Sequence, residues 1–83
     1  MPYIKPSQRE TLETDAPQTP GELNYSITKI INTYTLKRLG GLNYSAINDV
    51  LGALEGAKLE YYRRVAVPYE NKKRIENGDV YPS

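Results

Sequence analysis

The stretch that most constrains this chain runs from residue 42 to residue 69, because its composition favours one long helix. Asn43 is a good N-cap, since its side-chain oxygen can accept a hydrogen bond from a free N–H of the first turn. Between Tyr44 and Val67 only two glycines lower the helix propensity, each by about 1 kcal/mol relative to alanine. Pro68 lacks an N–H and clashes with the preceding turn, so it should end or kink the helix. The sequence therefore predicts a helix over residues 43–67.

The apolar side chains of this helix recur at helical spacing and predict a buried face. The residues that share it are Ile47, Leu51, Leu54, Tyr61 and Val65. Val50 lies on an adjacent stripe together with three alanines, so the apolar arc is wide in the first half of the helix. An arc of that width needs more than one neighbouring helix. We therefore predict that this helix takes part in a homo-oligomer interface.

Gly52 and Gly56 lie on successive turns of the same helix. Small residues at this spacing let another helix backbone approach closely. In one interpretation the crossing helix belongs to a second copy of the chain, and in the other it is the first helix of the same chain. The first interpretation gives a homo-oligomer interface made of Ile47, Val50, Leu51, Leu54, Gly52 and Gly56.

A second helix is predicted upstream, over residues 19–39. Thr19 is its N-cap, Pro20 suits the first helical position, and Glu22 can complete a capping box. Gly40 is suited to close this helix. Residues 1–18 contain three prolines and no helical period, so they are predicted to be an extended arm and linker, although one helical turn is possible near Ser7.

After Pro68, residues 69–77 are rich in helix formers and predict a short helix. Asn77 and Gly78 can close it, and a hairpin turn at the same dipeptide is the alternative. The predicted fold is all-α: a two-helix hairpin with a long kinked second helix, an extended N-terminal arm and a C-terminal tail, assembled as a homo-oligomer. Residues 19–83 form its one helical domain.

Composition excludes several function classes. The 83 residues contain no cysteine and no histidine, so disulfides, zinc sites, haem ligation and histidine-dependent catalysis are not expected. The 11 basic and 10 acidic side chains nearly balance, which argues against bulk nucleic-acid binding. No apolar run reaches the ~20 residues of a membrane span, and no signal-peptide core is present. We expect a soluble cytoplasmic protein with no metal and no cofactor.

A cationic and phenolic cluster near the end of the long helix is the strongest candidate site. The predicted ligand-binding residues are Tyr61, Tyr62, Arg63, Arg64, Tyr69, Lys72 and Lys73. Guanidinium groups bind phosphate oxygens and tyrosine rings stack on bases, so this composition suits a small anionic nucleotide. The alternative is a solvated helix end in which Glu60 pairs with Arg63 or Arg64.

The acidic residues do not suggest an enzyme. Their spacing matches no known metal-ligand set, and carboxylates alone are common on protein surfaces. The set consists of Glu55, Glu60, Glu70, Glu76 and Asp79. We therefore expect no catalytic residue in this chain.

Several segments resemble one family of short proteins of unknown function from bacteriophages, prophages and environmental sequences. They are Met1-Pro2-Tyr3-Ile4, Leu23-Asn24-Tyr25 with Ile27-Thr28, Ala57 to Val65, Pro68-Tyr69-Glu70, and Glu76 to Tyr81. The resemblance implies a phage-like setting, including the cytoplasm of an infected host. Small phage proteins are often antagonists of host defence, and some sequester cyclic nucleotides or ADP-ribose derivatives.

Two functional hypotheses follow from these observations. The first is a non-enzymatic phage-type accessory protein, an oligomeric sponge that binds an anionic nucleotide signal and counters host defence. The second is an interaction or structural accessory protein that docks on a host or virion protein. A ligand binder requires arginine and tyrosine side chains that converge in a concave pocket, whereas a docking protein presents an exposed apolar patch.

Overall fold

The computed structural model describes residues 3–13, 15–38 and 40–82, and the regular secondary structure among them is helical, with no strand. In chain order the elements are α1 (Pro6–Thr11), α2 (Pro20–Lys37), α3 (Tyr44–Tyr61), a π turn (Tyr62–Ala66) and α4 (Val67–Asn77). The prediction of an all-α chain is confirmed. Two compact units divide the chain, Met1–Ile47 and Asn48–Ser83. The hairpin packing of the two long helices and the homo-oligomer stay predictions.

Helix α2 begins as its capping residues predict. Thr19 accepts a hydrogen bond on Oγ1 from the Glu22 N–H at 3.1 Å, and Pro20 occupies the first position. The Glu22 carboxylate accepts the Gln18 N–H at 3.0 Å, one residue before the cap. The helix ends at Lys37, slightly earlier than predicted, because the backbone of Arg38 is extended. The predicted final residue, Leu39, lies outside the described residues.

The N-terminal arm contains α1, at the place where the sequence allows one helical turn, from Ser7 to Leu12. Pro6 stands at the first helical position, where its missing N–H needs no partner. The Lys5 N–H donates to Gln8 Oε1 at 3.0 Å and so closes the start of the helix.

Polar side chains hold α1 against α2 within the first unit. The pairs are Gln8 Nε2 with Glu22 Oε2 at 3.1 Å, the Arg9 guanidinium with the Tyr25 ring centroid at 5.5 Å, and Lys29 Nζ with Glu13 Oε1 at 4.0 Å. The three partners on α2 are spaced by three and four residues, so they share one helix face. Exposed contacts of this kind each contribute little to stability, so the position of the arm depends on all three contacts together.

Helix α3 begins at Tyr44, directly after its predicted cap. Asn43 accepts the Ala46 N–H on Oδ1 at 2.8 Å, which confirms the capping prediction. Gly40 and Gly41 precede it with φ values of 88° and 63°, a region that favours glycine. Ala46 in this first turn has 0% exposure.

Helical structure runs through Pro68, from Tyr44 to Asn77, so of the two predicted outcomes, an end or a kink, the end does not occur. The turn before it is a π turn, in which the Val67 N–H donates to the Tyr62 carbonyl five residues back. A proline in an α-helix clashes with the carbonyl four residues earlier and cannot donate to it. One wider turn removes that requirement locally, and α4 then starts with the proline inside its first turn.

Helix α4 ends at Asn77, where the sequence predicts its end. Gly78 has a φ of 88° and its N–H donates to the Arg74 carbonyl at 2.9 Å. The helix-closing interpretation of Asn77 and Gly78 is therefore confirmed, and the hairpin turn is excluded. Beyond it, Asp79 Oδ1 accepts the Tyr81 N–H at 3.0 Å and orders the start of the C-terminal tail.

Candidate functional site

The most unusual property of this chain is how little of it is buried. Among the described residues only Ala46 falls in the buried class. Large apolar side chains are exposed on every long helix, including Leu23, Ile27, Ile30, Tyr34, Ile47, Leu51, Leu54, Leu59 and Val65. Large contiguous exposed apolar patches are typical of interaction sites.

The residues predicted for the interface fall on two faces of α3. At about 100° per residue, Leu51 and Leu54 lie within about 40° of Ile47 around the helix axis. Gly52 and Gly56 lie about 140° and about 180° from Ile47, on the opposite side. Val50 is half-buried and borders the leucine side. We call Ile47, Val50, Leu51 and Leu54 the leucine face. One partner helix could not cover both sides, so an interface that contains all six predicted residues needs more than one neighbouring helix.

Neither glycine is needed for a close approach within the protomer. A Cβ atom built on Gly52 or Gly56 would meet nothing within 4 Å among the atoms considered around each of them. The crossing with a helix of a second copy stays a prediction.

We expect Gly56→Ala to stabilise the protein by about 1 kcal/mol, because alanine has the higher helix propensity and there is space for its methyl group. Urea denaturation measures this change. Gly78→Ala is the matched control: its Cβ also meets open space, but its φ of 88° strains any L residue, so it should destabilise. A lower stability of Gly56→Ala would mean that a second helix packs on this glycine in the assembly.

The two arginines of the predicted ligand cluster lie close to a carboxylate one turn earlier in the helix. Arg63 Nη2 lies 2.5 Å and Arg64 Nη1 3.7 Å from the Glu60 carboxylate, and all three side chains are exposed. This is the solvated helix end that the sequence offers as the alternative. Tyr61 and Lys72 of the same cluster are also exposed.

Three other members of the cluster line an open groove within the second unit. Tyr62, Tyr69 and Lys73 border a cavity of about 530 Å³ between α4 and the C-terminal tail. The Lys73 ammonium lies 5.6 Å from the Tyr69 ring centroid and 3.4 Å from Glu76 Oε1. We call this cavity the tail groove.

The tail groove also contains residues that the predicted ligand set lacks, notably Arg74 and Tyr81. Arg74 belongs to the basic run that follows Pro68, so the sequence contained a signal for it. Tyr81 could not be placed, because its position depends on how the tail returns along the helix. Among the described residues, no three acidic side chains are grouped to hold a metal ion.

The comparisons with known proteins identify a family. The sequence profile of DUF6899, a domain of unknown function, matches residues 1–80. The chain belongs to the DUF6899 family. This confirms the resemblance to a family of unknown function, and membership by itself assigns no activity. No curated protein and no solved structure matches the chain. None of the described helices is long and apolar enough to cross a bilayer.

Proposed function

We propose that this chain is a non-enzymatic interaction module whose fold is completed by a second copy of itself. The observation that carries the proposal is that Ala46 alone is buried among the described residues, while the apolar side chains of the leucine face are exposed. A domain of this size is marginally stable even when it buries about 60% of its unfolded surface. Partner contacts must supply the burial that the protomer lacks.

The leucine face is the surface that we propose for the contact between copies. Ile47, Leu51 and Leu54 are 40%, 59% and 38% exposed, so each has apolar area to remove from water. A two-fold axis across this face would place the same residues of both copies against each other. Burial of the leucine face stabilises the assembly by about 25 cal/mol per Å² of apolar surface removed from water. This is the largest stabilising contribution that the chain can gain.

The biological setting of the proposal comes from the sequence resemblance. We propose a phage-type accessory protein that acts in the cytoplasm of the host and, once assembled, docks on a host or virion protein. The apolar residues of α2 offer further surface for such a partner, since Ile30 is 71% exposed.

A second candidate function is the sequestration of an anionic nucleotide signal by the oligomer, in opposition to host defence. Its support is the tail groove, where Tyr62, Tyr69 and Lys73 lie together. The pairing of Arg63 and Arg64 with Glu60 weakens the version of this candidate that relies on those two residues.

The oligomeric mass in solution tests the first proposal. Light scattering of the purified chain at micromolar concentration should give a multiple of 9.4 kDa. The melting temperature should rise with protein concentration, because association is linked to folding. A monomer mass together with a cooperative melting curve that does not depend on concentration would contradict self-association.

A further inference from the structure

We infer that the tail groove is a binding site for a planar aromatic anion of the nucleotide class, held by Tyr62, Tyr69, Lys73, Arg74 and Tyr81. This inference rests on the second candidate function and names its site. It does not require the leucine face, because every residue of the groove lies in the second unit of one protomer.

The groove exists because the tail returns along α4. The φ of 88° at Gly78 turns the chain at the helix end, and Asp79 then lies 3.9 Å from the Arg74 guanidinium. The Asp79 carboxylate also accepts the Tyr81 N–H at 3.0 Å. These contacts hold the tail at the helix end, where Tyr81 lines the groove.

Three tyrosine rings give the groove surfaces for a flat ligand. Tyr62, Tyr69 and Tyr81 are 56%, 60% and 78% exposed, and the Lys73 ammonium lies over one face of the Tyr69 ring. Stacking of a base on an aromatic side chain is worth about 1–3 kcal/mol and tolerates different bases. The cavity of about 530 Å³ lies within the usual size of small-molecule sites.

Lys73 and Arg74 supply the charge that an anion needs. Glu70 and Asp79 also line the groove, so its charges balance when it is empty. The Arg74–Asp79 distance of 3.9 Å exceeds the 2.7–2.9 Å typical of a charge-assisted hydrogen bond. The guanidinium can therefore donate to a phosphate, which would replace Asp79 as its partner.

Alternative ligand classes fit the groove less well. Its two cations are too few for a nucleic-acid backbone, which is bound through many phosphate contacts. An apolar peptide carries no anionic group for the two cations of the groove. Lys73 and Arg74 would then keep only their present partners, Glu76 and Asp79. A ring that carries one or two phosphates uses both the tyrosines and the cations.

Titration calorimetry on the full chain tests the inference, with AMP, ADP-ribose and a cyclic dinucleotide as probes and adenosine as the uncharged comparison. We expect a phosphate-bearing probe to bind and adenosine to bind more weakly. Arg74→Ala and Tyr69→Ala should each lower the affinity at least about tenfold, as loss of a charge-assisted hydrogen bond or a stacked ring does. Tyr81→Ala lies outside the helix, so it tests the groove without a change in helicity.

Arg63→Ala is the matched control, because it removes the same type of side chain from the same helical run but outside the groove. It should leave affinity unchanged. If Arg63→Ala abolishes binding and the groove variants do not, the groove assignment is overturned while the nucleotide candidate stands. If no probe binds to the folded wild-type protein, both are overturned, and the mass measurement still decides self-association separately.

Discussion

Leu51→Asp is expected to dissociate the assembly and to remove most of the helical signal of the chain. The substitution places a carboxylate in an apolar contact, where an uncompensated charge costs about 3–5 kcal/mol in each copy. Small proteins have a free energy of unfolding of only about 5–15 kcal/mol. One protomer of this chain buries little apolar surface, so it has little other stabilisation to offset this cost. Light scattering reports the mass and far-UV circular dichroism reports the helicity.

Leu59→Asp is the control for this experiment. Leu59 lies on the same helix and is 57% exposed, against 59% for Leu51, so within one protomer the two substitutions are equivalent. The two leucines lie on different sides of the helix, because Leu59 is about 120° from Ile47 around the helix axis. We expect Leu59→Asp to keep the oligomer. Equal effects of the two variants would show that the leucine face is not the contact between copies.

Ala46→Leu is expected to destabilise the protein by about 1–3 kcal/mol, the usual cost of extra methylenes at a site without room. Ala46 has 0% exposure, and its N–H is fixed by the Asn43 side chain at 2.8 Å, so the first turn of α3 cannot shift easily. Urea denaturation at one fixed protein concentration gives the change in the free energy of unfolding.

Ala53→Leu provides the comparison. Ala53 lies two turns further along α3 and within about 20° of Ala46 around the axis, but it is exposed. A leucine there should cost little, because alanine and leucine have similar helix propensity. If Ala46→Leu is as stable as the wild type, the packing around the first turn of α3 is looser than the structure implies.

The helix ends could be predicted because capping is decided over a few neighbouring residues. Thr19 and Asn43 each accept an N–H three residues ahead, and Gly78 adopts the backbone conformation that a closing glycine needs. Each of these interactions is contained in a short stretch of sequence. The caps therefore needed no knowledge of the rest of the fold.

Pro68 shows where local rules are insufficient. They indicate that a proline costs the helix one hydrogen bond, but not whether the chain responds with a break or with a wider turn. Strong helix formers on both sides favour continuation, and the π turn at Tyr62–Ala66 is the result. The same applies to Pro6, which reads as a breaker until the start of α1 is located.

The candidate site was only partly predictable for a similar reason. The pairing of Arg63 and Arg64 with Glu60 follows from i+3 and i+4 spacing, and the sequence offered it as an alternative. The tail groove depends on the return of residues 78–82 toward the helix, which no periodicity encodes. Tyr62, Tyr69 and Lys73 belong to the predicted cluster, but the sequence did not indicate that the tail would border the same groove.

The π turn also has a consequence for how the long helical run opens. Its segments of 18, 5 and 11 residues are continuous in space, yet the hydrogen-bond ladder changes register between them. Cooperative helix propagation depends on an unbroken ladder, so the run should behave as two opening units that meet at Tyr62–Ala66. In amide hydrogen exchange, protection would then be lowest in the middle of the run as well as at its ends. The least protected internal segment would adjoin the tail groove, since Tyr62 belongs to both.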